Sequence, residues 1–334
     1  MNETEQRAAG TFSGVAIGDA LGAATTFIPH REILMKFGRV TGFIEPKSSR
    51  VHEALSAGSF TDDTELTLVL AESIIRTGAV SPDAFAKSLV SWAKRRSILQ
   101  TTLIGPSTRR AITKLMNGQS PEKSGQGGTT NGCAMRISPV AIVNASRADE
   151  EAKSDVEKAC MPTHCTGIAI SGATAVCLAT KRAIEGERDT ALIIQSALDG
   201  AAFPSCSKCG RDYRGKLDLR IRHAIRIAEG AGSEEQLLTD LYAFMKGKRK
   251  ALTEDAVPIA LALCAYAEFD FNRVALLSAN LGGDCDTIGA IAGAVSGAYT
   301  GLGGIRSDWV RAVGKNSDVD LIKTARALLN AKRH

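Results

Sequence analysis

The stretch Thr287-Ile-Gly289-Ala-Ile-Ala-Gly293-Ala-Val-Ser-Gly297-Ala-Tyr-Thr-Gly301-Leu-Gly-Gly-Ile305 carries no charge, and its glycines at 289, 293, 297 and 301 recur every four residues. Residues four apart share one face of a helix, so these glycines form a bare stripe. Each costs about 1 kcal/mol against alanine in a helix interior. A segment that keeps four in register uses the stripe to bring another backbone close. The segment is long enough to cross a bilayer, and the same spacing occurs in membrane dimers. Most of its residues are Gly, Ala, Ser and Thr, however, which gain little on leaving water, and no second apolar segment accompanies it. It reads as a buried central helix.

The rest of the chain repeats the helical theme. After a Gly-rich opening, Thr61-Asp62-Asp63-Thr64 precedes an apolar face at Leu66, Val69, Leu70 and Ile74, with Gly78 just beyond; polar caps and a terminal glycine bound a helix. Ser81-Pro82-Asp83 opens the next, with Pro at its first position. Further helices are expected over 107–116, 166–183, 217–228, 235–245, 258–267, 272–281 and 319–331, while 117–132 reads as a loop over a pocket and 144–155 as a charged surface insertion. Period-two alternation is almost absent. The expected fold is all-α, a compact multi-helix orthogonal array, with residues 1–334 forming a single domain.

Composition excludes several classes. The 334 residues are 44% hydrophobic and 23% charged, which is too apolar for disorder. The net charge of +5 balances 41 basic against 36 acidic residues, and the basic runs Lys94-Arg95-Arg96, 246–250 and 332–334 have no interleaved aromatics. They read as solvated helix ends, and no nucleic-acid partner is expected. The polar N-terminus lacks the features of a secretory leader, and eight scattered cysteines suit reduced thiols, so a cytoplasmic protein is expected. Cys206-Ser-Lys-Cys209 is one close pair without a second CxxC, so zinc is not expected.

The chemistry is concentrated in two acidic blocks about 220 residues apart: Gly58-Ser-Phe-Thr61-Asp62-Asp63-Thr64 and Gly282-Gly-Asp284-Cys-Asp286-Thr287. Asp62-Asp63 alone suits an ordinary helix N-terminus. Asp284 and Asp286, however, stand at the mouth of the buried glycine-striped helix, where carboxylates need compensation. If the two blocks converge, the repulsion is large: two unit charges 4 Å apart interact by about 4 kcal/mol at an effective dielectric near 20. Protonation or divalent cations must relieve it. Four carboxylates with the Thr61 and Thr287 hydroxyls form an all-oxygen donor set that selects Mg²⁺, Mn²⁺ or Ca²⁺.

With these blocks, the sequence resembles the ADP-ribosylglycohydrolase family. The similarity also covers Gly14-Val-Ala-Ile-Gly18-Asp19-Ala-Leu-Gly22, Gly128-Thr-Thr-Asn131-Gly132-Cys-Ala-Met135-Arg136-Ile-Ser-Pro139 and Thr163-His164. The resemblance implies an all-α fold with a central binuclear metal cleft. Two Mg²⁺ or Mn²⁺ ions would be held by Thr61, Asp62, Asp63, Asp284, Asp286 and Thr287. The ions would bind the ribose hydroxyls, and Asp62 or Asp63 would orient the water or act as base. Gly127, Gly128, Asn131 and Gly132 would meet the diphosphate, His164 would contact the ligand, and Gly105 and Ser107 would line the pocket. The implied activity is hydrolysis of an N- or O-glycosidic bond to ADP-ribose, on a modified protein side chain or a small ADP-ribosyl compound, by a monomer with no membrane partner.

One departure stands out. Relatives commonly carry a Glu shortly after the Gly-Asp-Ala-Leu-Gly motif, where this chain has Thr26, and threonine cannot serve as a carboxylate base near neutral pH. Glu32 and Glu53 are the nearby candidates to replace it. The change leaves two alternatives open: hydrolysis of a smaller ribosyl or nucleoside-type substrate, and a non-catalytic ADP-ribose-binding protein. Cys285, between two proposed ligands, reads as a small packing residue.

Overall fold

The Gly-rich opening is itself a helix. In the computed structural model, which describes residues 1–49, 51–203, 216–248 and 250–331, the chain forms α1 (Glu3–Gly22), α2 (His30–Phe37), α3 (Asp62–Thr77), α4 (Pro82–Arg95), α5 (Pro106–Met116), α6 (Pro121–Ser124), α7 (Ser138–Val143) and α8 (Asp149–Cys160). There follow α9 (Gly167–Ile184), α10 (Thr190–Ala201), α11 (Leu217–Gly230), α12 (Glu234–Phe244), α13 (Thr253–Tyr266), α14 (Phe271–Leu281), α15 (Cys285–Thr300), α16 (Ser307–Lys315) and α17 (Leu321–Leu329). Among the described residues there are no strands, only isolated bridges at Gln126–Cys165 and Thr130–Leu252. The all-α expectation holds. The Cys206–Cys209 pair and residues 332–334 lie outside the described residues.

Two glycine stripes face one another at the centre. Gly10, Gly14 and Gly18 of α1 lie against Gly297, Gly293 and Gly289 of α15, so the helices run antiparallel. A Cβ on Gly14 would sit 2.1 Å from the Gly293 carbonyl oxygen, and one on Gly18 would sit 2.0 Å from that of Gly289. No side chain fits between these backbones. The helix-propensity cost of the glycines is offset by close packing of two main chains, with dispersion contacts along the whole seam. Both helices are almost wholly buried. The sequence announced the second stripe and its need for a partner; it did not identify α1 as that partner. The second helix also ends earlier than its charge-free run, at Gly301 with φ 71°, a left-handed turn suited to glycine.

Three further boundaries differ from expectation. Residues 149–155 are the first two turns of α8 and not an insertion, because Ala152 and Val156 give that charged segment a buried face. The loop over 117–132 contains the short α6 and leads into a 3₁₀ turn at Asn131–Cys133. α13 begins at Thr253, so Pro258 lies inside it. Proline cannot donate to the Glu254 carbonyl. That oxygen instead accepts from Arg220 Nε at 2.6 Å, while Arg220 Nη2 donates to Asp255 Oδ1 at 2.6 Å and the guanidinium stacks on Phe244. Asp255 also accepts from the backbone N–H groups of Lys246 and Gly247. The proline position and its arginine thus tie down Lys246 and Gly247 through Asp255. We expect Arg220→Met to lower stability by about 2 kcal/mol or more, through the lost ion pair to buried Asp255 and the orphaned Glu254 carbonyl. Urea unfolding reads this directly, and an unchanged midpoint would contradict it.

Candidate active site

The two acidic blocks converge. A cavity of about 510 Å³ is lined by Asp62 and Asp63 from the start of α3 and by Asp284, Asp286 and Thr287 from the start of α15. That volume falls within the usual range for small-ligand sites. Helix N-termini are natural places for carboxylates, and each block begins a helix. Thr61 caps α3: its hydroxyl accepts from Asp63 N at 3.2 Å and donates to Asp63 Oδ2 at 3.1 Å. A larger opening of about 1210 Å³ lies beside α10 and α11, but neither acidic block contributes to it.

Asp19, from the buried part of α1, holds the first block in place. Its carboxylate accepts from Thr61 N, Thr64 N and, at 2.6 Å, Thr64 Oγ1. The second block is held by two neighbours. Thr26 Oγ1 accepts from Asp286 N at 3.0 Å and donates to Gly22 O, so the threonine is engaged beneath the helix start. Asn131 Nδ2 donates to Asp284 Oδ2 at 2.6 Å. Asn131 N also donates to Ala251 O, which joins the loop before it to the chain just ahead of α13.

The site residues expected from sequence separate into two groups. Asp62, Asp63, Asp284, Asp286, Thr287, Asn131, Gly132 and Gly105 are on the cavity wall. Thr61, Ser107, Gly127, Gly128 and His164 are not among its lining residues. His164 is fully buried behind the wall, with Nε2 paired to Thr130 Oγ1 and Nδ1 to Thr163 Oγ1, both at 2.8 Å. A Cβ on Gly132 would meet the imidazole at 2.8 Å, so His164 shapes the wall from the rear. Gly127 is exposed with φ 79°, and Gly128 lies against the Thr163 carbonyl. Ser107 is buried and accepts from Arg110 at 3.4 Å. Cys285 is a packing residue, as expected: it is buried, its sulfur accepts from Gly282 N, and burial pushes the thiol up to about 12.

Sequence reasoning missed three features. Asp19 was visible as a lone acid in an apolar, glycine-rich segment, which demands a partner. His52 gave no local signal, because its role depends on a contact 234 residues away: its Nε2 lies 2.7 Å from Asp286 Oδ2. Lys250, Ala251 and Leu252 also line the cavity, although Lys250 ends the basic run 246–250 that reads from sequence as solvated surface.

The electrostatics reflect crowding. Burial, opposed by the Thr64 hydrogen bond and aided by the charge of Asp286, raises Asp19 to about 7. Burial and Asp286 raise Asp284 to about 8, and burial with neighbouring carboxylates lifts Asp62 and Asp63 well above their ordinary range. Asp286 goes the other way: burial pushes it up, but the His52 hydrogen bond and charge, with Thr26 and the Thr287 N–H, hold it below the usual value. Among the described residues no three His, Cys, Asp or Glu side chains stand in a ready-made metal cage. The donor chemistry nevertheless fits a hard divalent cation, and Asp63 Oδ1 is buried with no partner among the described residues.

A pH dependence follows. Four carboxylates with raised folded-state values mean that the folded chain binds more protons than the unfolded one between the ordinary carboxylate range and about 7 to 8. Stability therefore falls as pH rises through that window. Asp286, with its lowered value, offsets part of the loss. In EDTA, the melting temperature should decrease from pH 5.5 to 8.5, and Mg²⁺ or Mn²⁺ should restore it through preferential binding to the folded chain. A flat or rising profile in EDTA would contradict the crowding.

Comparison with known proteins agrees with the all-α fold. The model of the ADP-ribosylglycohydrolase family matches residues 1–334. The chain is 32% identical over 302 residues to an uncharacterized protein of Escherichia coli (strain K12), YegU, covering 90% of this chain and 89% of that one. It is 26% identical over 328 residues to the ADP-ribosyl-[dinitrogen reductase] glycohydrolase of Rhodospirillum rubrum, covering 97% and 95%. A solved structure described as an ADP-ribosylglycohydrolase-related protein complex superposes with a TM-score of 0.69 at 26% identity, over 100% of both chains.

Proposed function

Because the chain belongs to the ADP-ribosylglycohydrolase family, whose members point to ADP-ribosyl hydrolase activity, we propose that it hydrolyses the glycosidic bond joining ADP-ribose to a modified protein side chain. The observation that carries this reading is the meeting of two distant acidic blocks in one cavity. The relative from Rhodospirillum rubrum is named for removing ADP-ribose from a protein, which favours a protein-linked substrate over a free nucleoside.

Asp62, Asp63, Asp284, Asp286 and Thr287 would hold Mg²⁺ or Mn²⁺. When bound, such cations supply neutralisation of the crowded carboxylates and a positive anchor for ribose hydroxyls. The chain's own groups do the rest. Asp63 commits Oδ2 to Thr61 and leaves Oδ1 without a partner among the described residues, so Oδ1 is the oxygen available to orient a water and take its proton. Asn131 fixes the orientation of Asp284 through Oδ2. Gly105, whose Cβ position is open space, leaves its part of the wall bare of a side chain, and Lys250 brings a positive charge to the site, which suits an anionic diphosphate. Phe27, in a left-handed conformation with φ 59°, adds an aromatic surface at the wall. Strain of this kind concentrates where function holds it in place.

The test is release of free ADP-ribose from peptides ADP-ribosylated on arginine or on serine, with Mg²⁺ or Mn²⁺ present and with EDTA. Cation-dependent release from at least one peptide is expected. Binding of ADP-ribose without turnover on either would establish a reader in place of an enzyme.

A further inference from the structure

Thr26 leaves the cavity short of a carboxylate, and neither acidic candidate nearby in sequence fills the place. Glu32 pairs with Lys36 on α2 at 2.7 Å, and Glu53 is exposed. Neither lines the cavity. The residue beside Glu53 does: His52 is 4% exposed and faces the site.

Its backbone is fixed. Ser49 Oγ accepts from His52 N at 3.0 Å and from Val51 N at 3.3 Å, which positions the imidazole against α15. The ring is held more loosely. Its hydrogen bond to Asp286 is made by Nε2, while Nδ1 is buried without a partner among the described residues. A second unpartnered buried atom belongs to the same site, Asp63 Oδ1. A nitrogen donor and an anionic oxygen 2.7 Å apart are already close to the spacing of neighbouring ligands on one ion, since bonds of about 2.1 Å at right angles separate the donor atoms by about 3 Å. The proton now between them is what a cation would displace.

We propose that His52 is a metal ligand of this site, donating Nε2 beside the Asp286 carboxylate and making the donor set a mixed nitrogen–oxygen one. This rests on the cation-dependent reading of the cavity given above. Imidazole is a softer donor than carboxylate, and Mg²⁺ gives up water reluctantly for anything but oxygen. The site therefore favours Mn²⁺ over Mg²⁺, more strongly than an all-carboxylate site would.

The experiment is pulsed electron paramagnetic resonance of Mn²⁺ bound to the full chain, with equilibrium binding of Mn²⁺ and Mg²⁺ measured on the same samples. The parent should show a directly bonded ¹⁴N coupling, and selective ¹⁵N-histidine labelling should change it without any mutation. His52→Gln should lose that coupling, bind Mn²⁺ about 10-fold or more weakly and narrow the Mn²⁺ preference over Mg²⁺. Mn²⁺ bound by the parent with no nitrogen coupling, or with one that survives His52→Gln, overturns the assignment of His52 and leaves the carboxylate site standing. Failure of the parent to bind either cation overturns both.

Discussion

Gly14→Val should not yield a stably folded protein. The first added carbon alone would lie 2.1 Å from the Gly293 carbonyl oxygen, and the next nearest atoms are also main chain. Overpacking a core of movable side chains costs about 1–3 kcal/mol. Here no side chain can turn aside, and separating α1 from α15 would open the whole seam from Gly10 to Gly22. The loss should exceed about 4 kcal/mol, a large part of the 5–15 kcal/mol typical of a folded chain. Gly230→Ala is the control, because nothing lies within 4 Å of an added Cβ there and φ is not positive. Circular dichroism melts of both variants decide the matter. A Gly14→Val protein melting within about 2 °C of the parent would refute the close-packed seam.

Asp286→Ala should cut turnover by about 10³-fold or more, the scale of losing a principal electrostatic contact in a reaction site. Asp286 is the one carboxylate of the group held below its ordinary range, and so the one that keeps its charge most firmly. Its removal also relieves Asp62, Asp63, Asp19 and Asp284, each of which it pushes up. The helical fold should therefore survive in EDTA while cation stoichiometry falls. This combination of lost activity and retained fold is the signature of a site that holds repulsion for function. Full turnover, or parent-like cation binding, would remove Asp286 from its assigned role.

What the sequence disclosed, and what it did not, follows from the range of the interactions. Helices α3, α4 and α14 are legible because their caps and apolar faces lie within one or two turns of each other. The acidic blocks are legible because each is contiguous, whereas their meeting is a supposition at the level of sequence, and the cavity between α3 and α15 supplies it. Asp19 supporting Thr61 and Thr64, and His52 reaching Asp286, are contacts between distant segments, and no local pattern encodes such a pairing. His164 illustrates the converse error. It matches a motif of the family, but its two ring nitrogens are satisfied by Thr130 and Thr163 behind the cavity wall, so the resemblance alone overstated its access to the ligand. Pro258 misled in a similar way: proline usually opens a helix, and only Arg220, packed from α11, lets it sit inside one.

The account's central claim is that the start of α3 and the start of α15 jointly hold the cations on which hydrolysis depends. Calorimetric titration of Mn²⁺ into the parent, the double variant Asp62→Ala with Asp63→Ala, and the double variant Asp284→Ala with Asp286→Ala tests it most directly, because each variant strips the carboxylates of one block and spares the other. The account predicts a pair of ions in the parent and a reduced number in both variants. Parent stoichiometry retained in either variant would show that one block binds without the other and would contradict it.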